Sequence, residues 1–229
     1  MSSILKGKTC FVFDAYGTLF SLDTSLTQLP GLSKDQKENL LATWRVKQLE
    51  YTWLRALMNK YCSFQQVTED ALSYALAKHE IAHTESIFEA FMQIYLLPTL
   101  THGAAGLLNY LARCRHTTAI LSNGTPSMLE AGVKKCEIGH DLSKILSVEL
   151  VKDFKPSPRV YKLIKDLIEP DLEKVLFVSA NPWDVSGAST YGLDSIWINP
   201  EGKIRDELPF GSMMELSDLD ELFMALRDN

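Results

Sequence analysis

Apolar and polar positions along the chain follow two different rhythms. Phe11 to Phe13 is a short apolar run that stops at Asp14, and Gly17 forces a turn just beyond it, which predicts a buried strand carrying a carboxylate at its carboxyl end. From Asp35 to Tyr61 there is neither Gly nor Pro, and Leu41, Trp44, Leu49, Trp53 and Leu57 recur at close to helical spacing. Shorter helices are predicted over 64–78, with Leu72 and Leu76 on one face, and over 84–96. No strand-like run falls between Ser25 and Leu97, so the pattern predicts an all-helical insert after the first strand. A polar turn containing Asp23, Pro30 and Gly31 leads into it, and Pro98 and Gly103 mark the return.

From Gly103 the rhythm becomes an alternation of helices and strands. Helix is predicted over 104–114, strand over 117–121 ending at Ser122-Asn123-Gly124, and a further helix from Pro126. Strand follows at 145–150, helix at 156–168, strand at 175–178 ending at Ser179, and strand at 194–198. The last helix has Ser217 as its expected cap and gathers Leu219, Leu222, Phe223 and Leu226 on one side. Such alternation predicts an α/β fold with a parallel sheet and crossover helices.

Composition narrows the possibilities. The 229 residues are 46% apolar, enough for one sizeable core and a small appended domain. A net charge of −6 gives no basic surface for nucleic acid or an anionic membrane, so any anionic ligand must be held by a local cluster of cations. The stretch from Met1 to Cys10 is polar, carries Lys6 and Lys8, and resembles neither a signal peptide nor a membrane span, which leads to an expected cytoplasmic location. Cys10, Cys62, Cys114 and Cys136 are far apart and form no Cys-x-x-Cys pair, so core thiols are expected rather than a zinc site or disulfides.

The informative feature is where the polar residues fall. Asp14, Ser122, Lys155 and the loop from Ser179 to Asp184 each follow a predicted strand or open the next helix, and all would share the carboxyl edge of one sheet, where open α/β folds bind ligands. Taken alone, Asp14 reads better as a turn cap than as a reactive group. Four polar positions in register with four crossovers point to an active site.

The order Asp14-Ala15-Tyr16-Gly17-Thr18, Ser122-Asn123-Gly124, Lys155-Pro156 and a late Asp184 resembles the haloacid dehalogenase superfamily. The segment 44–55 (WRVKQLEYTWLR), Phe64-Gln65-Gln66, the segment 155–161 (KPSPRVY) and the segment 179–184 (SANPWD) resemble its L-2-haloacid dehalogenases, over nearly the whole chain. That resemblance implies a Rossmann-like core at 1–22 and 99–229, a helical cap at 23–98, a homodimer, and hydrolysis of short L-2-haloalkanoic acids to D-2-hydroxyalkanoic acids without metal or organic cofactor. Phosphatases of the superfamily carry a second Asp two residues after the nucleophile to protonate an alkoxide; here that position is Tyr16. A halide leaves without a proton. Ser179 and Asn181 occupy much of the motif that holds Mg²⁺ in the phosphatases. A magnesium phosphatase is thus the weaker enzyme reading, and a non-catalytic anion-binding relative has no use for an aimed nucleophile.

By resemblance, Asp14 attacks the halogenated carbon and becomes an ester. Arg45 and Asn123 receive the halide, a guanidinium being charged at any working pH. Ser122, amides near Tyr16, and Lys155 cradle the substrate carboxylate, while Leu19, Phe64 and Trp183 wall the reacting carbon. Asp184 acts as base for water, oriented by Asn181 and Ser179. Thr18 and amides after Asp14 stabilise the oxyanion, and Tyr161 supports the site. Arg55 is expected to be a solvated helix arginine and Asp153 a surface charge. Ala180 stands where some relatives carry Ser.

Overall fold

A computed structural model describes residues 3–22 and 32–228. In chain order its strands are β1 (Cys10–Phe13), β2 (Phe20–Ser21), β3 (Thr99–Leu100), β4 (Thr117–Ser122), β5 (Lys144–Ser147), β6 (Val175–Ser179), β7 (Asp194–Ile198) and β8 (Met213–Leu216). The helices are α1 (Lys34–Leu57), α2 (Phe64–Lys78), α3 (Glu85–Gln93), α4 (Ala104–Arg113), α5 (Pro126–Lys135), α6 (Pro158–Leu167), α7 (Pro182–Tyr191) and α8 (Leu219–Arg227).

Six strands form one parallel sheet in the order β5-β4-β1-β6-β7-β8. Both faces are covered, which is why β1, and β6 as far as Val178, are apolar and both strands are buried at every position. Phe13 lies level with Ile120 and Val178, so the chain leaves β1, β4 and β6 on the same edge. The crossovers run to opposite sides of β1, and a crevice forms at such a reversal. Three of the helices that follow strands begin with Pro at the first position, where its missing N–H costs nothing: Pro126, Pro158 and Pro182.

Between β2 and β3 the described chain is helical. Ser33 caps α1 through a reciprocal capping box with Gln36, and the helix ends at Leu57 as Asn59 turns into the left-handed region at φ +53°. The Trp44 indole, buried in α1, donates to the Thr68 carbonyl of α2 at 2.8 Å and fixes the pair. The polar turn expected around Asp23, Pro30 and Gly31 lies outside the described residues.

Several expectations need correction. The β2/β3 ribbon pairs Phe20 with Leu100 and Ser21 with Thr99, too few residues to leave a periodic signal. β8 adds to the sheet edge from a short methionine-rich run. Strand β5 stops at Ser147, and 148–150 is a 3₁₀ turn. α6 starts at Pro158, because the residue before a proline is driven out of helical geometry, and Ser157 is extended there. Asp218 caps α8, accepting from the Glu221 amide at 2.7 Å, while Ser217 binds the Glu221 carboxylate. Arg55 is half-buried and paired with Asp70 at 2.5 Å. Asp153 is largely covered and accepts from Ser157 at 2.7 Å. Of the thiols, Cys10 is buried, Cys62 and Cys136 half-buried, and Cys114 exposed.

Candidate active site

Asp14 takes up the first position past β1, its amide still in register as a donor to Val178 O at 2.9 Å. Gly17, at φ +89°, then reverses the chain in a conformation that suits glycine alone. Both Asp14 oxygens are held: Lys155 Nζ approaches Oδ1 at 3.0 Å, while Asn181 Nδ2 donates to Oδ2 at 2.8 Å with Thr18 and Ser179 hydroxyls at 3.4 Å. The same ammonium contacts Asp184 Oδ2 at 2.8 Å, and Tyr161 donates to Asp184 Oδ1 at 2.7 Å. Lys155, Asp184 and Tyr161 are fully or almost fully buried.

The sheet edge explains why these residues meet. Thr18 accepts the Ala180 amide at 2.9 Å, tying the nucleophile turn to the loop after β6. Asn181 stands at the N-cap position of α7 with its side chain turned to Asp14, which places Asp184 in the helix's first turn, against Lys155. Asn123 Oδ1 accepts the Lys155 amide at 3.0 Å, so the β4 and β5 loops are joined directly; Ser122 Oγ accepts from Gly124 N at 3.2 Å. The amides of Gly17, Thr18, Leu19 and Phe20 are engaged within the turn, leaving those of Ala15 and Tyr16 outside these bonds. Tyr16 itself donates its hydroxyl to Tyr95 O at 2.9 Å.

Arg45 reaches the site from α1. It shares with Tyr16, Gly17 and Asn181 the wall of a cavity of about 420 Å³, whose apolar lining comes from Phe20, Leu22, Leu41, Trp44, Ile94 and Tyr95. Leu19 and Phe64 are buried in the packing behind, Phe64 against Tyr95 and Phe154. Trp183 stacks edge-on to Trp53 with ring centres 5.7 Å apart, in a separate groove. Tyr95 and Phe20 contribute to the cavity without having been singled out in the sequence, since an aromatic inside an apolar stretch carries no mark of what it faces.

Electrostatics set the protonation states. Burial by itself would lower the Lys155 ammonium, but Asp14 and Asp184 together hold it above the ordinary lysine value. Asp184 is raised to about 6, chiefly by burial, with Asp14 adding to the rise and Lys155 and Tyr161 opposing it. Tyr161 is raised by burial and by the Asp184 carboxylate, and stays a neutral donor. Lys155 thus stands between two carboxylates, where it supplies the opposing charge itself. Among the described residues no group of three His, Cys, Asp or Glu side chains is placed to hold a metal ion.

A nucleophile-competent carboxylate past the central strand, a lysine beneath it and a helical segment carrying an arginine over the cleft define a class of hydrolase. The sequence profile of the haloacid dehalogenase-like hydrolases matches residues 8–192, and the chain belongs to that family, with the (S)-2-haloacid dehalogenases as its relatives. (S)-2-haloacid dehalogenase H-109 of Pseudomonas putida is 36% identical over 217 residues, covering 95% of this chain and 97% of that enzyme. The (S)-2-haloacid dehalogenase of Xanthobacter autotrophicus is 39% identical over 218 residues, 94% of this chain and 84% of its own. The solved structure of L-2-haloacid dehalogenase from Xanthobacter autotrophicus with chloropropionic acid covalently bound superposes with a TM-score of 0.89 at 30% identity, covering 96% of this chain and 98% of that one.

Proposed function

We propose that this protein hydrolyses short L-2-haloalkanoic acids to D-2-hydroxyalkanoic acids and halide. The observation that carries the reading is the Asp14 carboxylate, held by Lys155 and Asn181 at the sheet edge beside the cavity that Arg45 enters. An Asp14 oxygen attacks C2 from behind, the carbon–halogen bond breaks with its electron pair, and an aspartyl ester forms with inversion. Arg45 stabilises the departing halide, helped by Asn123, without any proton transfer. Ser122, Lys155 and the amide of Tyr16 hold the substrate carboxylate.

Water then attacks the Asp14 carboxyl carbon. Asp184 takes its proton, Asn181 and Ser179 orient it, and Thr18 with the Ala15 and Tyr16 amides stabilises the oxyanion. The bond between the carboxyl carbon and the ester oxygen then breaks, Asp184 hands its proton to that oxygen, the hydroxyacid leaves carrying the former Asp14 oxygen, and Asp14, now holding the oxygen of water, releases its remaining proton to solvent and regains its carboxylate. Tyr161 positions Asp184 through its 2.7 Å bond. Leu19, Phe64 and Trp183 act as supporting apolar packing in this reading.

Residues 1–22 and 99–229 form the core and 23–98 the cap in the same proposal. The protein is proposed to be a cytoplasmic homodimer: four free thiols suit a reducing compartment, no described helix is long and apolar enough to cross a membrane, and α1 leaves Val46, Leu54 and Leu57 exposed.

The test is halide release from L- and D-2-chloropropionate beside a phosphate monoester, with and without a strong chelator. Chelator-insensitive release from the L-isomer alone, with D-lactate as product, is the expected result. Magnesium-dependent phosphate release, or retained configuration, would overturn the assignment.

A further inference from the structure

Three residues along α1 from Arg45, Gln48 shares its helix face and has no solvent exposure. Its Oε1 accepts from Arg45 Nη1 at 2.8 Å and from the Tyr95 hydroxyl at 3.2 Å, and its Nε2 donates to Thr68 Oγ1 at 2.7 Å. Thr68 Oγ1 in turn donates to the Phe64 carbonyl at 2.7 Å. The direction of this chain is dictated by chemistry. A carbonyl only accepts, so the single Thr68 hydroxyl hydrogen goes to Phe64, and the oxygen facing Gln48 must accept. Only the amide nitrogen of Gln48 can donate to it. The opposite end of the side chain, facing Arg45, is therefore a neutral carbonyl oxygen, fixed by the backbone of α2.

Charge makes this arrangement informative. Arg55, on the same helix, is held by the Asp70 carboxylate at 2.5 Å. Among the described residues no ion pair involves Arg45. A carboxylate would orient the guanidinium equally well but cancel the charge that a leaving halide needs; a carbonyl orients it and leaves that charge unpaired.

We propose that Gln48 is a positioning residue that aims the Arg45 guanidinium into the cavity while preserving its net positive charge. The inference rests on the reading of Arg45 as the group that receives the leaving halide. Tyr95 completes the device: burial keeps its hydroxyl protonated, so it remains a second donor to Gln48 Oε1, and its carbonyl accepts the Tyr16 hydroxyl at 2.9 Å. The cap-side arginine and the nucleophile turn are thereby linked through one network.

The discriminating variant is Gln48→Glu, which keeps length and shape but adds a charge and turns the Nε2 donor to Thr68 into an acceptor. A residue needed only for packing would lose thermal stability by it yet keep halide affinity and turnover in the folded protein. A positioning residue chosen for neutrality would keep neither, so kcat for halide release is expected to fall about ten-fold or more, and bromide affinity measured by calorimetry to weaken in parallel, with KM changing less. Gln48→Met, of similar length without an acceptor, should lower kcat in the same direction, and thermal melting of both variants verifies folding. In an Arg45→Lys background either Gln48 change should cost less than about three-fold, because neighbours acting through one group are non-additive. Near-normal kcat for Gln48→Glu, or a full multiplicative effect on top of Arg45→Lys, would overturn the inference while leaving the dehalogenase reading in place. If Arg45→Lys itself leaves halide release and bromide affinity unchanged, the reading of Arg45 fails and this inference fails with it.

Discussion

In the proposed mechanism, replacing Asp184 with Asn removes the base for the second step and leaves the first, and the structure indicates how cleanly. Lys155 can only donate, so the oxygen of the new amide would face it across the present 2.8 Å contact, and the amide nitrogen would face Tyr161. The Tyr161 hydroxyl can accommodate this by accepting from the amide and turning its hydrogen to the backbone carbonyl of the same residue, which it already approaches at 3.1 Å. Lys155 keeps its 3.0 Å contact with Asp14, so the nucleophile stays in place. A neutral amide also avoids the burial cost that raises Asp184 to about 6, so little loss of thermal stability is expected. Losing a general base typically slows a step by about 10²–10⁴, equivalent to roughly 3–5 kcal/mol of barrier, and here the loss falls on ester hydrolysis alone. Displacement of chloride needs no base. Mixing the variant with L-2-chloropropionate should therefore release one chloride per site in a burst, followed by slow turnover, and mass spectrometry of the peptides should find a lactyl group on Asp14. Absence of both burst and adduct would make Asp184 a structural partner of Lys155, and unimpaired turnover would assign the hydrolysis to another group.

Further outcomes follow from the same geometry. Because Asp184 must be ionised to accept a proton and its value is raised to about 6, kcat should fall as pH drops through that region when hydrolysis limits the rate, and the limb should move in Tyr161→Phe, which removes a hydrogen bond that favours the carboxylate. A profile flat down to pH 5 would contradict this. Arg45→Lys keeps the charge but loses the planar fork, and should slow halide release by about 10²-fold with the fold intact; stopped-flow halide detection checks it. Gly187→Ala would place a Cβ 2.5 Å from the Tyr161 hydroxyl and 2.6 Å from Pro156 Cβ, overpacking that costs about 1–3 kcal/mol and displaces the partner of Asp184. A lowered melting temperature together with slowed ester hydrolysis is the expected combination.

Much of the core was legible in the chain, because a strand buried on both faces must be apolar and a helix leaving it must begin somewhere tolerant of Pro. Asp14, Ser122, Lys155 and Asp184 stood out as polar groups punctuating such runs, and a parallel sheet brings those points to one edge. The order of motifs then supplied the chemistry, since Tyr16 in place of an acid bears on which leaving group the site can serve. Short features escaped: β2, β3 and β8 are too brief for periodicity, and Ser217 and Asp218 are both competent caps until the helix direction selects one. Only the tertiary structure decided that Lys155 bridges two carboxylates, that Arg55 is tied to Asp70 while Arg45 is not, and that Tyr95 lines the cavity with Gln48 hydrogen-bonded to it. The reason is physical: a sequence records which groups a residue can offer, but hydrogen-bond direction, burial and charge depend on distant neighbours, as for Asn181 and Asp14, 167 positions apart, and these meet only when the sheet is assembled.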